Sequence, residues 1–245
     1  GILLYPLGFN LGAYLEVLKN PMVSSGFLNS VFYVVAGTAV NMMVTIMGAF
    51  ALSRKRLWIR KYINLAVVFT MFFSGGLIPM FLLVRNLGLY DNRLALILPT
   101  TISTYNLIVM RTSFLAFPDS LEEAAKIDGA NDFLILLRIV VPLSGATIAV
   151  ITLFYGVTHW NDWFQAAIYL RSRMKYPIQL YLREVLITSN TDSMMQSAST
   201  GQDALAISES IKYATVMVST LPILIVYPFL QKYFVKGVMI GAIKG

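Results

Sequence analysis

Apolar residues run along this chain in long unbroken blocks, not in the alternation of a half-buried sheet or the narrow stripe of a surface helix. Five blocks approach or exceed the roughly 20 residues that an α-helix needs to cross a bilayer. They are 26–52 (GFLNSVFYVVAGTAVNMMVTIMGAFAL), 62–84 (YINLAVVFTMFFSGGLIPMFLLV), 94–117, about 139–160 and about 213–231. The first two carry no charge, and 94–117 is interrupted only by Arg111. The pattern predicts an all-α fold, a polytopic bundle of transmembrane helices forming one domain over 1–245. Buried helices of a large soluble protein are the alternative, and two long uncharged runs argue against it. Pro79, Pro99, Pro222 and Pro228 fall inside predicted spans, where each removes a backbone donor and introduces a kink.

Composition agrees. The chain is 57% hydrophobic and 13% charged, where a soluble domain carries about 25% charged residues. Its mean hydropathy is +0.70. With no cysteine, disulfides, thiol nucleophiles and thiolate metal sites are excluded. The net charge of +7 is not of the nucleic-acid-binding kind, because the basic residues sit beside apolar runs without interleaved aromatics. They report orientation instead. Arg54, Lys55, Arg56, Arg60 and Lys61 crowd the loop 53–61, which is therefore expected in the cytoplasm. Counting spans then gives an external segment 1–25, a cytoplasmic loop 118–138, an external loop 171–210 and a cytoplasmic tail 232–245 holding Lys232, Lys236 and Lys244. The abrupt start at Gly1 suggests a natural chain that begins earlier.

Against this background the stretch EEAAKIDGAN stands out: Glu122, Glu123, Asp128 and nearby Asp132 concentrate acid in one cytoplasmic connector. The sequence predicts a short helix after Pro118, with capping boxes available from Ser120 to Glu123 and from Asp119 to Glu122. Its first-turn acids suit the helix dipole. Ala124 and Ala125 keep it thin, Gly129 stops it, and Asn131 or Asp132 caps the next helix. Local chemistry allows two readings: a knob for another protein to grip, or a capped connector that touches nothing.

Glu123, Ala124, Ala125, Gly129, Ile139 and Pro142 have the spacing E-A-A, three residues, G, nine residues, I, one residue, L-P, with Val141 in place of Leu. This resembles the EAA signature of bacterial ABC importer permeases. The resemblance extends along the chain: PLGFNLGAYLEVLKNP, HWNDWFQAAIYL and the final IKYATVMVSTLPILIVYPFLQKYFVKGVMIGAIKG are similar to carbohydrate permeases of the maltose type, with LplC/YtcP-like oligosaccharide permeases as the subgroup. It implies a type I importer permease with six spans in the full chain, in the bacterial cytoplasmic membrane. It further implies a homologous second permease, a dimer of separate ATPase subunits that carry ATP and Mg, and an extracytoplasmic sugar-binding protein. This chain itself would bind no cofactor. Glu122, Glu123, Ala124, Ala125, Asp128 and Gly129 would then form a coupling helix that docks on the ATPase.

A sugar pathway is sought among polar groups in the spans. Thr100, Thr104 and Arg111 would share one face of a continuous helix, flanked by Thr101 and Asn106. Arg111 would alternatively snorkel to the inner interface. Asn41, Thr45 and Ser74 are weaker candidates, since such groups also join helices. Arg171, Arg173, Lys175 and Arg183 form an external basic set suited to an acidic, uronate-type sugar, or to Glu184, Asp192, a partner or lipid head groups. His159 has no metal-spaced companion and reads as structural. No Walker A, G-x-S-x-G or metal-ligand motif points to an enzyme. An ion-coupled carrier would need carboxylates within the spans, and the five runs contain none. An amino-acid or peptide importer is the nearest alternative within the ABC class.

Overall fold

The longest helix starts with a cap and a proline. Asn20 accepts the Met22 N–H at 2.9 Å, and Pro21 opens the first turn, where its missing donor is not needed. From there one helix runs unbroken through Pro21–Ser53, 33 residues or about 50 Å. It begins five residues before the predicted span. The structure, a computed structural model, describes residues 12–54, 58–196, 210 and 212–225.

The helices in chain order are α1 (Gly12–Lys19), α2 (Pro21–Ser53), α3 (Arg60–Phe72), α4 (Leu77–Asn86), α5 (Thr104–Leu115) and α6 (Asp119–Ile127). They continue with α7 (Asp132–Leu143), α8 (Gly145–Asn161), α9 (Phe164–Tyr169), α10 (Ile178–Gln196) and α11 (Lys212–Ile225). Helix α2 is the axis of the bundle and packs against α8, α5 and α10. Its buried stripe is built from small and polar residues, among them Gly26, Ser30, Gly37, Asn41, Thr45 and Ala49. Such residues let backbones approach closely, the usual solution where water supplies no hydrophobic force between helices. One apolar cluster, including Phe50, Met110, Phe114, Ile135 and Ile151, fills the end of the bundle where α2 terminates. Another, with Tyr33, Val84, Leu96 and Tyr169, fills the opposite end.

Among the described residues, α2 alone is a single helix long and apolar enough to cross a membrane; two further candidates are bent pairs. The run 62–84 is not one helix. It breaks at 73–76 into α3 and α4, whose axes differ by 113°. Gly76 stands at the N-cap of α4 with φ +85°, a conformation that lies outside the right-handed helix and that glycine adopts without strain. Pro79 then sits in the first turn of α4, where an N–H would be unpaired anyway. The run 94–117 is helical at Arg93–Leu96, as a single 3₁₀ turn, and again only from Thr104. Pro99 lies in the irregular segment between, and Ser103 caps the new helix. The run from 139 begins inside α7 and turns by 86° into α8. Pro142 has no N–H for the preceding turn, and the ladder upstream opens into a π-turn at Leu136–Val140. The expected loop 171–210 is helical over Ile178–Gln196, because nothing in TSNTDSMMQ contains the Gly or Pro that would stop α10. The end of the fifth run, the tail 232–245, the region around Ala204, and Lys55 and Arg56 lie outside the described residues.

Candidate functional site

Pro118 (φ −60°, ψ 134°) turns the chain out of α5 and stands at the N-cap of α6. It offers no side-chain acceptor, so neither predicted capping box forms; Asp119 and Ser120 are already inside the helix. Asp119 and Glu122 do occupy the first turn. The far end behaves as the sequence predicts. Gly129 is left-handed at φ +81°, its N–H reaches the Lys126 carbonyl at 3.0 Å, and the Ala130 N–H reaches Ala125 at 2.9 Å. That pair of bonds is a Schellman motif. Asn131 then caps α7 by accepting the Leu134 N–H at 2.8 Å.

The six residues expected to dock, four in α6 and two in its C-terminal cap, divide between two faces. Ala125 is buried against the Phe114 and Ile135 cluster. Glu122 turns inward to an ion pair with Arg54 and a 2.6 Å bond from Lys126. Burial opposes its ionisation, but Lys126 and Arg54 outweigh that and hold its carboxyl below the usual range. Glu123, Ala124, Asp128 and Gly129 face out. So do Leu121, at 43% exposure, and Ile127, at 86%. Ile127 was passed over in the sequence, although it lies one turn beyond Glu123 and Ala124 on the same face. Behind α6, a cleft of about 260 Å³ opens between Arg54, Phe114, Glu122 and Ile135.

Arg111 belongs to this end of the molecule. Its Nε donates to the Leu52 carbonyl at 3.1 Å, and Arg60 reaches the Ser53 carbonyl at 3.4 Å. Both cations therefore sit on the C-terminal carbonyls of α2, where the dipole favours them. The predicted shared face of Thr100, Thr104 and Arg111 does not exist, because Thr100 precedes α5. The Thr100 hydroxyl donates to the Leu96 carbonyl at 3.0 Å, and its own carbonyl accepts from Asn41 at 3.1 Å. The Thr104 hydroxyl stands 3.3 Å from that of Thr70 on α3. Asn106 is buried, and its N–H is capped by Ser103 at 3.4 Å. Tyr155 is the missed member of this layer. Its phenol lies 2.8 Å from the Thr45 hydroxyl and accepts the Ser103 N–H at 3.0 Å.

At the other end, the basic residues expected outside do not gather into one patch. Lys175 pairs with Asp91 at 3.1 Å, Arg173 with Glu184 at 3.7 Å, and Arg183 covers the Trp163 ring at 3.4 Å. Arg171 is exposed and gives its N–H to Asp91. Asp91 is the organiser that the sequence reading missed; its signal was an acid in the turn YDN. Its carboxylate also accepts the Ser172 N–H and, at 2.6 Å, the Ser172 hydroxyl. The Ser172 hydroxyl and N–H, with Arg171 and Lys175, hold its carboxyl well below the usual carboxylate range. Asn29 and Tyr33 of α2 bind the carbonyls of Met174 and Lys175 at 2.7 and 2.8 Å, which straps 170–178 across the end of the bundle. His159 is buried against Gly37, as a structural residue would be.

Residues 41–240 match the family described as "Binding-protein-dependent transport system inner membrane component". The chain is 46% identical to the polygalacturonan/rhamnogalacturonan transport system permease protein YtcP of Bacillus subtilis (strain 168), over 99% of this chain and 85% of that one. It is 43% identical to protein LplC of the same organism, over 99% and 81%. Among solved structures, a chain of a bacterial ABC transporter involved in the import of the acidic polysaccharide alginate superposes with a TM-score of 0.85. That likeness carries 33% identity and covers 96% of this chain and 83% of that one. A helical bundle with a capped acidic helix at one end, matched along nearly its whole length by transport permeases, has one family assignment: the chain belongs to the inner-membrane permease components of binding-protein-dependent ABC importers.

Proposed function

We propose that this permease imports acidic oligosaccharides of the uronate type, and that α6 is the element through which an ATPase drives it. The observation that carries the mechanical part is the division of α6 into two faces. Glu122 and Ala125 hold it to the bundle, while Leu121, Glu123, Ala124, Ile127 and Asp128 are left exposed. A helix fixed on one side and bare on the other suits docking better than a free connector does. The pull of nucleotide-driven closure then biases the bundle between two arrangements that open to opposite sides. ATP and Mg stay on the ATPase dimer. A homologous second permease completes the pathway, and a binding protein delivers the sugar from outside.

The substrate class rests on the relatives. One is named for galacturonan-type polymers and another serves alginate, described as an acidic polysaccharide. The exposed Arg171 suits an anionic sugar. Reconstituted with its partners in vesicles, the transporter is expected to take up oligogalacturonides and not neutral maltooligosaccharides. Uptake should persist with an uncoupler and stop without ATP. Equal uptake of both sugars refutes the acidic-substrate reading, and uptake without ATP refutes the mechanism.

A further inference from the structure

We infer that Arg54 is a positioning residue for coupling: it ties α6 to the end of α2, so that displacement of the docked helix is delivered to the central helix of the bundle. This rests on the proposed docking role of α6. Arg54 is the first residue beyond α2, in extended conformation at φ −72°, ψ 129°. Its own helix holds the guanidinium. The Phe50 ring centroid lies 4.4 Å from Cζ, and Nε donates to the Ser53 hydroxyl at 3.1 Å. Nη1 then meets Glu122, across a sequence separation of 68 residues. The two side chains are only 19% and 20% exposed. A pair so anchored and half-hidden differs from an exposed surface ion pair, whose two long side chains must be ordered for little gain.

The connectivity gives this link its purpose. Helix α6 is joined to α5 through the short turn 116–118, so α5 follows it through the chain itself. Helix α2 has no such covalent neighbour in α6. Yet α2 is the element that α5, α8 and α10 pack upon, and its far end carries Asn29 and Tyr33 under the strap 170–178. Arg111 from α5 and Arg60 from α3 hold the carbonyls of Leu52 and Ser53 next to Arg54. A pull on Glu122 therefore reaches a point where α2, α3 and α5 already meet. A rigid helix of about 50 Å then carries it to the external side.

The assay uses the complete transporter in vesicles, with Ala124→Cys as a cross-linking probe for the ATPase. Uptake is divided by the amount of chain in the membrane. Arg54→Glu and Glu122→Arg, each alone, are expected to lower uptake about tenfold or more while ATPase capture at position 124 persists, so that ATP hydrolysed per sugar rises. The double exchange should restore uptake to within about threefold of wild type, since the pair is rebuilt with its signs reversed. Arg54→Lys, which keeps the charge, should retain most of the uptake. Single reversals with a wild-type ATP-to-sugar ratio, or an exchange no better than either single change, overturn the inference. Absence of capture in the otherwise wild-type chain overturns the docking reading, and this inference with it.

Discussion

Gly37→Ala tests the close packing of α2 against α8. A Cβ built on Gly37 would stand 2.5 Å from His159 Nε2, 2.7 Å from Cε1 and 2.8 Å from Cδ2. Ordinary contacts begin near 3.4 Å, so the ring must retreat by about 1 Å. It has little room, because His159 is 4% exposed and lies in the interface between α2 and α8. Forcing an extra methyl into such a contact costs about 1–3 kcal/mol. The measurement is equilibrium unfolding of the purified chain in mixed detergent and lipid micelles, followed by tryptophan fluorescence. Gly145→Ala is the control. Nothing lies within 4 Å of its Cβ, and its effect should stay below about 1 kcal/mol. His159→Ala removes the obstacle, so the double change should be less damaging than the sum of the singles by about 1 kcal/mol or more. If Gly37→Ala matches the control, or if the two changes simply add, the close approach of α2 and α8 through this pair is wrong.

Three further expectations follow from local geometry. Asp91→Asn should destabilise the chain at neutral pH by breaking the charge-assisted bonds to Ser172 and Lys175. Because folding lowers the Asp91 pKa from 3.8, that stabilisation is complete above about 4 and is lost as pH falls through the folded value; the gap between variant and wild type, read by thermal unfolding, should close in acid. Gly129→Ala should cost about 1–2 kcal/mol, through the left-handed backbone alone. Its Cβ meets nothing within 4 Å, so the variant should insert normally, with faster amide exchange at the end of α6. Tyr155→Phe removes the partner of both Thr45 and the Ser103 N–H, and should lower stability by about 1–3 kcal/mol in the same unfolding assay.

The sequence carried the class of the fold, the position and the stop of α6, and the cap at Asn131, because each depends on a short-range rule. Membrane helices follow from apolar runs, a left-handed residue from Gly129, and a cap from one side-chain oxygen. It was poorer wherever partners come from far along the chain. Glu122 is grouped with Glu123 among the docking residues by sequence, yet Arg54 draws it inward from 68 positions away. Asp91 carries no motif that singles it out, yet the segment 171–175 folds over its carboxylate. Arg173, Lys175 and Arg183 read as one basic set, and each is taken up by a different partner. Hydropathy also cannot separate a straight span from a bent one. The runs 62–84 and 94–117 are as apolar as α2, but SGG and LPTTIS interrupt their helices.

Those interruptions share a physical requirement that explains where the polar residues of the bundle lie. Irregular backbone at membrane depth leaves donors and acceptors that lipid cannot satisfy, so it survives only where protein or a water-filled cavity supplies partners. The segment between the 3₁₀ turn and α5 meets the condition from two sides. Asn41 of α2 donates to the Thr100 carbonyl, and Tyr155 of α8 accepts the Ser103 N–H. Thr45 completes the set by bonding Tyr155 in turn. Asn41, Thr45 and Tyr155 thus fasten the broken helix to its two neighbours. Helix α5, held this way at its start, is continuous through a short turn with α6 at its end. The same element therefore connects the bundle's internal polar layer to the exposed helix on which an ATPase would act, and motion of α6 must either carry that layer along or break its bonds.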